Sequence, residues 1–340
     1  MISSRTFEGA LVAAVFLSAA VRAEELNVYS SRHYQTDEAL YAGFTKATGI
    51  KVNRIEASED ALIERIRNEG TRGPADALIT TDAGRLWRAE QLGLFQPVKS
   101  KTLETRIPEN FREPAGHWFG FAMRARVIAF NRDKVKPQEI ATYESLADPK
   151  WKGRICVRSG THVYNLSLMA ALINHIGEQK AEAWAKAVRG NLAREPKGGD
   201  TDQIKGVAAG ECDVAITNHY YYARLARSDK PEEKTIADKV GVVFPNQASW
   251  GTHVNVTGVG VLKSAPNRKA AVRFLEYLAS DESQRYFAEG NNEWPVVDAV
   301  TTANPVLASF GRFKHDNLNV AVLGQNQAAA QKLYDRVGWK

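Results

Sequence analysis

Three consecutive tyrosines, Tyr220, Tyr221 and Tyr222, lie in the stretch 218–224 that directly follows an apolar run at residues 212–217. Three neighbouring phenols cannot all face one core, because adjacent side chains on a helix diverge by about 100 degrees. At least one of them must therefore face solvent or a cleft. A single tyrosine here would indicate packing, which is the usual role of this residue. We interpret Tyr220 and Tyr221 as metal-binding phenolates and Tyr222 as a packing residue.

The ligand type indicates which metal such a site would take. A phenolate is a hard, anionic oxygen ligand with a free pKa of about 10, so only a strongly Lewis-acidic cation displaces its proton at neutral pH. Zinc or copper would call for His and Cys, and calcium or magnesium for the carboxylates of Asp and Glu. The loops around the tyrosines are poor in these carboxylates. Ferric iron fits the residue types best.

The elements that must position these tyrosines form two α/β units. In the first unit, strands are predicted at 26–29, 50–55 and 75–80, each followed by a helix, and this βαβαβ order predicts a parallel sheet flanked by helices. The second unit has predicted strands at 154–158, 213–217 and 240–244, and a strand at 256–262 returns to the first unit. The apolar segment 118–131 predicts a strand crossing between the units, and we interpret its Arg126 as a surface residue.

In parallel sheets, ligands bind beyond the carboxyl ends of the strands. Tyr34 follows the first predicted strand, Tyr164 follows the strand at 154–158, and Tyr220 and Tyr221 follow the strand at 213–217. We expect the two units to face each other across a cleft, with Tyr34 on one wall and the other three tyrosines on the opposite wall. A ligand held by both walls would close the cleft like a hinge.

Five ordered motifs resemble a known family. They are YSSRHY at 29–34, the segment 118–131 with its RARVIAFN ending, RSGTHVYN at 158–165, NHYYYAR at 218–224 and WGTHVN at 250–255. The mature chain is similar to the ferric-iron-binding periplasmic proteins of bacterial ABC transporters, in their tyrosine-rich branch. The resemblance implies a two-lobed α/β fold of the type II periplasmic binding proteins, in which each lobe is a mixed, mostly parallel sheet flanked by helices. It also implies an Fe(III) site in the interlobe cleft and delivery to an inner-membrane permease and its ATPase for iron uptake.

Carried over residue by residue, the resemblance gives each candidate site residue a role. His33 occupies the position of a histidine that coordinates iron in some members and stands aside in others. The loop from Ser159 to Thr161 corresponds to a place where a synergistic anion such as carbonate could bind, and whether one binds here stays open. Arginines are expected beside the metal to offset the charge of the phenolates. The expected ligands are Tyr34, Tyr164, Tyr220 and Tyr221, and the expected arginines are Arg124 and Arg224.

The sequence also predicts where the protein is located and where its lobes begin and end. Arg5, an apolar run at 10–21 and a small residue at Ala23 predict a signal peptide at 1–23, and hence export to the periplasm. We expect an N-lobe of 24–125 and 248–298 and a C-lobe of 126–247 and 299–340. The mature protein is expected to be a monomer without stable membrane insertion.

Charge and cysteine content limit the remaining interpretations. The net charge is +6, and losing Arg5, Arg22 and Glu8 with residues 1–23 makes it +5. Basic and acidic residues alternate along the chain without a basic run, which argues against a nucleic-acid partner. Cys156 and Cys212 could form a disulfide or remain buried thiols.

Two other classes of function compete with iron binding. A binding protein of the same fold for a small organic or oxyanion ligand would use Arg124, Arg224 and the Ser/Thr loops, but it would leave four tyrosines without a role. A secreted hydrolase would need a nucleophile or a metal motif, and neither G-x-S-x-G nor H-E-x-x-H occurs in the sequence. We therefore expect a binding protein and not an enzyme.

Overall fold

The computed structural model describes residues 24–32 and 34–340. The predicted signal peptide and His33 lie outside the described residues. Among the helices of the described part, none is long and apolar enough to cross a membrane.

Strands of the described part form a mixed sheet in the order β2-β1-β3-β8-β4-β6-β5, and β7 and β9 also pair with β4. The first part of this order is parallel, because β1 pairs in parallel with both β2 and β3. The βαβαβ prediction is thereby confirmed. The strands are β1 (Glu25–Ser30), β2 (Lys51–Glu56), β3 (Ala77–Thr80), β4 (Phe119–Asn131), β5 (Ile155–Cys156), β6 (Val214–Asn218), β7 (Val240–Val243), β8 (Val254–Val261) and β9 (Trp294–Pro295).

Helices follow most of these strands and cover the faces of the sheet. They are α1 (Asp37–Thr48), α2 (Glu59–Glu69), α3 (Ala83–Gln91), α4 (Lys101–Arg106), α5 (Val163–Ile176), α6 (Glu178–Gly190), α7 (Asp200–Ala209), α8 (His219–Arg227), α9 (Pro231–Lys239), α10 (Arg268–Leu278), α11 (Asp281–Asn291), α12 (Pro305–Ser309), α13 (Ala321–Gln325) and α14 (Gln327–Val337).

Local signals explain where the helices around the site begin and end. Helix α1 ends at Gly49, which adopts the left-handed conformation (φ 75°) and donates its N–H to the carbonyl of Thr45. Helix α3 begins after Asp82, whose carboxylate accepts a hydrogen bond from the N–H of Gly84. Helix α8 begins at His219, directly after β6 ends at Asn218. The tyrosines at 220–222 therefore lie in the first turn of a helix at the carboxyl end of a strand.

Strand β4 connects the two parts of the sheet, as predicted. Its first half, up to Ala125, pairs antiparallel with β8, and its second half, from Arg126, pairs antiparallel with β6 and β7. Strand β8 in turn pairs with β3, so it returns to the first unit. The long strand thus changes partners between Ala125 and Arg126.

Buried apolar residues form separate clusters on the two sides of this change. One cluster surrounds β1, β3 and β8, and a second surrounds α5, α6 and β6. Helix α13 packs against both α3 and α5 and joins the two sides. A third cluster includes Cys156 and Cys212, which form a disulfide. This resolves the alternative that the sequence left open.

Candidate metal centre

The three consecutive tyrosines take different environments on α8. Tyr220 is 1% exposed, whereas Tyr221 and Tyr222 are half-buried. The rings of Tyr220 and Tyr221 lie together, with centroids 4.3 Å apart. Tyr222 turns elsewhere, and its hydroxyl donates a hydrogen bond of 3.4 Å to the carbonyl of Ala237. The first two tyrosines are therefore separated from the third, as the divergence of side chains on a helix requires.

Tyr164 and Tyr34 lie in the same cluster. The hydroxyl of Tyr164 lies 3.1 Å from that of Tyr220. The guanidinium carbon of Arg224 lies 4.5 Å from the ring centroid of Tyr34, 5.2 Å from that of Tyr220 and 5.7 Å from that of Tyr221. The structure thus brings together the four tyrosines predicted as ligands, although they come from three segments far apart in the chain: the loop after β1 and the first turns of α5 and α8.

Burial controls the protonation of these phenols. It raises the pKa of Tyr164 and of Tyr220 well above the usual value, and the neighbouring tyrosines raise both pKa values further. Arg124 opposes these effects at both tyrosines. Burial also raises the pKa of Tyr221, and the charge of Asp200 adds to this rise. These three phenols are therefore protonated at neutral pH, and a ligand that requires phenolate must displace their protons.

Arg124 projects from β4 into a buried ion network. Its Nη1 donates to Thr257 Oγ1 at 3.0 Å and lies 3.5 Å from Glu293 Oε1, and its guanidinium carbon lies 5.9 Å from the ring centroid of Tyr164. Glu293 also binds Arg32 at 2.9 Å. The Nη2 group of Arg124 is buried without a hydrogen-bond partner among residues 24–32 and 34–340. It is therefore a donor available to a bound group.

Arg126 is buried as well, and its interpretation as a surface residue is wrong. Only 2% of it is exposed, and its guanidinium forms an ion pair with Asp200 and donates to Asn165 Oδ1 at 2.8 Å. Residues two apart on a strand face the same side. Because Arg124 faces the tyrosines, Arg126 must do so too, and its guanidinium carbon lies 5.8 Å from the ring centroid of Tyr164.

Two carboxylates of the site were not anticipated from the sequence. Asp200, fully buried at the start of α7, pairs with Arg126 and Arg158 and accepts a hydrogen bond of 2.7 Å from the N–H of Asn218. Glu293 pairs with Arg32 and Arg124. Acidic residues are common in the first turn of a helix, because they interact favourably with the helix dipole. Nothing in the sequence therefore distinguished Asp200 from such a residue. Glu293 lies more than 160 residues from either of its partners.

The loop proposed for an anion lies at the start of α5, as predicted. Ser159 Oγ and Thr161 Oγ1 are 2.8 Å apart, and the N–H of Thr161 donates to Ser159 Oγ at 3.1 Å. A Cβ at Gly160 would lie 2.3 Å from the carbonyl oxygen of Trp339, so only glycine fits there. His162 precedes the helix, and its Nδ1 accepts a hydrogen bond from the N–H of Tyr164, which positions this tyrosine.

Other histidines near the tyrosines have structural roles. His219 is buried and uses both ring nitrogens, since Nδ1 accepts from the N–H of Ala125 and Nε2 bonds to the carbonyl of Asn292. Its ring stacks on Trp294 at 3.9 Å. His253 is also buried, and burial lowers the pKa of both imidazoles to about 3. Both side chains are therefore neutral across the physiological range.

Known proteins are similar to this chain in sequence and in fold. The family model described as "Bacterial extracellular solute-binding protein" matches residues 74–314. The chain is 54% identical to "Iron uptake protein A1" of Synechocystis sp., over 93% of this chain and 88% of that protein. It is 28% identical to the "Major ferric iron-binding protein" of Neisseria meningitidis, over 97% of this chain and 98% of that protein.

Solved structures support the same assignment. A Trichodesmium protein in complex with iron and citrate ligands is 57% identical, with a TM-score of 0.89, over 93% of this chain and all of that one. A ferric binding protein from Campylobacter jejuni is 40% identical, with a TM-score of 0.88 and coverage of 93% and 100%. The fold is therefore that of the type II periplasmic binding proteins, as expected. This chain belongs to the bacterial extracellular solute-binding proteins, on the branch that includes the iron uptake proteins and the ferric-iron-binding proteins.

Proposed function

We propose that this protein captures Fe(III) through Tyr34, Tyr164, Tyr220 and Tyr221 and delivers it to an inner-membrane ABC permease and its ATPase for iron uptake. The convergence of four phenols from three separate segments of the chain is the observation that carries the proposal. Hard anionic oxygen ligands match ferric iron better than softer or less charged metals. The names of the relatives, which describe iron uptake and ferric iron binding, agree with this choice.

The charges around the tyrosines suit a ferric site. Four phenolates and one Fe(III) ion carry a net charge of −1, which is costly in a buried position unless cations lie nearby. The five arginines whose guanidinium groups lie over the rings of these tyrosines have three carboxylates as ion-pair partners, which leaves two positive charges in excess. The arginines are Arg32, Arg124, Arg126, Arg158 and Arg224, and the carboxylates are Asp37, Asp200 and Glu293.

The metal would bind between two lobes, for which we propose the ranges 24–125 with 248–298 and 126–247 with 299–340. The change of partners within β4 at Ala125 and Arg126 supports the first boundary. Contacts between the proposed lobes support a closed cleft. Arg224 of α8 lies over the ring of Tyr34 at 4.5 Å, and Ser167 of α5 donates to the carboxylate of Asp82 at 2.8 Å.

Two further groups complete the proposed site. His33 precedes Tyr34 in sequence and is a candidate additional ligand. The loop from Ser159 to Thr161 is the candidate position of a synergistic carbonate, since it lies at a helix N-terminus where anions are favoured. A His33→Ala variant and iron loading in bicarbonate-free buffer test these roles separately. A shift of the iron absorption band in either experiment supports the corresponding ligand.

Export is part of the proposal. Cleavage after Ala23 would release the mature chain into the periplasm, where the oxidising environment would maintain the disulfide of Cys156 and Cys212. The mass of the protein recovered from a periplasmic fraction tests this step. A chain that still carries residues 1–23 would contradict it.

A titration of metal-free mature protein with ferric nitrilotriacetate tests the proposed metal. We expect a saturable phenolate-to-iron charge-transfer band in the visible spectrum at one equivalent. The double variant Tyr220→Phe, Tyr221→Phe should lose the band. Tyr222→Phe is the matched control, because it removes a phenol from the same helix turn whose hydroxyl bonds outside the cluster. Absence of the band at every ratio would overturn the proposal.

A small organic acid or oxyanion is the second candidate ligand. Buried guanidinium nitrogens of Arg124, Arg126 and Arg158 have no hydrogen-bond partner within the described part of the chain, and such groups favour an anion. Calorimetry of iron-free protein with citrate tests this function. Binding of citrate that persists unchanged in the double tyrosine variant, together with the absence of an iron band, would favour the anion over the metal.

A further inference from the structure

Three side chains of types that bind metals meet outside the tyrosine cluster. Glu90 lies in the last turn of α3, and Glu113 and His117 lie in the segment that leads into β4. Their possible ligand atoms all lie within 4.8 Å of one another. Within residues 24–32 and 34–340, no other group of three or more His, Cys, Asp or Glu side chains meets this condition. Asp82, which borders the proposed cleft, lies at the opposite end of α3. A helix rises 1.5 Å per residue, so about 12 Å separates the two ends.

A rigid turn holds Glu113 and His117 on the same side. Gly116 adopts the left-handed conformation (φ 83°), and its N–H donates to the carbonyl of Glu113 at 3.0 Å. A Cβ at Gly116 would lie 2.6 Å from the carbonyl oxygen of Val98, so the turn requires glycine. The N–H of His117 then donates to Glu113 Oε2 at 3.0 Å. The backbone therefore orients this carboxylate toward the imidazole.

Glu90 is oriented by a different group. The indole N–H of Trp118 donates to Glu90 Oε2 at 2.9 Å, and Trp118 is itself fully buried. The other oxygen, Oε1, lies 3.9 Å from Nδ1 of His117. Partners of this kind, which fix the orientation of a ligand, are typical of metal sites.

The ring nitrogen Nδ1 of His117 lies between the two carboxylates. It is 3.2 Å from Glu113 Oε2, which is an ion-pair distance, and the side chain as a whole is 28% exposed. The Nδ1 atom itself is buried and makes no hydrogen bond with any described residue. An imidazole nitrogen that faces two carboxylate oxygens at these distances can share a metal ion with them.

Electrostatics also favours a cation at this place. The carboxylate oxygens of Glu90 and Glu113 lie within 4.8 Å of each other, and like charges at this distance repel. The carboxyl end of α3 contributes further negative potential. The arginines of the same helix do not relieve it, because Arg85 and Arg88 pair with Asp60.

We propose that Glu90, Glu113 and His117 form a second metal site, which takes a divalent transition-metal ion such as Zn²⁺. One imidazole and two carboxylates are a common ligand set for zinc, with bonds of about 2.0–2.2 Å. The three ligand atoms lie within 4.8 Å of one another, so a bound ion would need only small side-chain rotations to reach such distances, with water as a further ligand. The site uses no residue of the tyrosine cluster, so it does not depend on the proposed iron function.

Calorimetric titration of the untagged, iron-loaded mature protein with Zn²⁺ tests the proposal. We expect one saturable equivalent, and at least a tenfold weaker affinity in His117→Ala and in Glu90→Gln. The Gln variant retains the shape of the side chain and an oxygen for the indole of Trp118, so a loss there reflects the lost charge. Glu109→Gln is the control, because this carboxylate lies on the same segment and is 94% exposed.

The outcome is separable from the fate of the iron proposal. The double variant Tyr220→Phe, Tyr221→Phe should keep the zinc equivalent that depends on His117, whether or not it binds iron. Circular dichroism verifies that each variant is folded. The proposal is overturned if the parent protein shows no saturable zinc binding, or if His117→Ala binds zinc as tightly as the parent.

Discussion

Replacing Arg124 by methionine should weaken iron binding by about 100-fold. The guanidinium carbon lies 5.9 Å from the ring centroid of Tyr164, and four phenolates with Fe(III) leave a net charge of −1. Two opposite unit charges about 6 Å apart interact with about 3 kcal/mol at an effective dielectric constant of about 20. That energy corresponds to about two orders of magnitude in Kd.

The fold should tolerate the Arg124→Met change. Its carboxylate partner Glu293 keeps the ion pair of 2.9 Å with Arg32, and Thr257 keeps a hydrogen bond of 2.8 Å from the same arginine. No carboxylate of this network is therefore left unpaired. Methionine also fills much of the volume of the arginine side chain, which limits the loss of packing.

Competition for ferric iron against nitrilotriacetate, followed by the charge-transfer band, measures the change. Arg124→Lys keeps the charge and should recover a large part of the affinity. Arg65→Met is the matched control, because Arg65 also lies over a tyrosine ring, that of Tyr29 at 4.9 Å, but outside the cluster. Equal affinity in Arg124→Met and the parent would refute the electrostatic reasoning. So would an equal loss in the Lys and Met variants, which would indicate shape and not charge.

Three further outcomes are expected. Iron occupancy should fall as the pH falls, because protons compete with the metal for the phenolate oxygens and the pKa values of Tyr164 and Tyr220 are raised. The affinity for iron should fall by about tenfold per pH unit for each phenol that must lose its proton. An unchanged charge-transfer band down to about pH 4 would count against phenolate ligands. Reduction of the disulfide, which closes a loop of 56 residues, should lower the free energy of unfolding by about 4 kcal/mol in denaturant titrations, and an unchanged midpoint would contradict this. Asp200→Asn should cost about 3–5 kcal/mol in the same assay, because it leaves the buried Arg126 and the partly buried Arg158 without their carboxylate; a cost below 1 kcal/mol would show that the arginines find other partners.

The same tyrosine chemistry has a consequence for the stability of the iron-free protein. Burial raises the folded-state pKa of Tyr164 above its unfolded value, so the folded protein favours the neutral phenol. The associated stability is therefore fully present below about pH 10, the unfolded pKa, and is lost as the pH rises above it. Iron binding reverses the preference, since the metal requires the deprotonated form.

The sequence predicted the elements near the site well because local signals mark them. Gly49 ends α1 and Asp82 starts α3 as expected, since a left-handed glycine and a capping carboxylate act within one turn of the helix. The tyrosines could be placed together because the loops after parallel strands gather at one edge of a sheet. Their relative distances could not be predicted, because these depend on how the strands twist and pair.

The errors and omissions concern residues whose role depends on distant partners. The interpretation of Arg126 as a surface residue is wrong, although its spacing from Arg124 places both on one face of β4 and this period of two predicts a shared environment. Asp200 and Glu293 gave no such signal, because their arginine partners lie between 42 and 261 residues away. Whether the two cysteines form a disulfide also depends on which strands pair. Strand β5, which contains Cys156, pairs in parallel with β6, which follows Cys212, and this brings the two cysteines together.

The two proposed metal sites differ in how easily their ligand groups lose a proton, and we expect this difference to determine which metal each site binds. Raised pKa values make the phenols of Tyr164 and Tyr220 costly to deprotonate, so a divalent ion gains too little from each oxygen to displace the protons at neutral pH. Carboxylates in general are ionised at neutral pH and offer acceptor oxygens without that cost. We therefore expect burial of the tyrosines to exclude the weaker Lewis acids from the cleft, so that zinc binds only at the proposed site at the far end of α3. Zinc in excess should therefore leave the charge-transfer titration with ferric iron unchanged, and competition for the tyrosine site would show that burial is not the source of its selectivity.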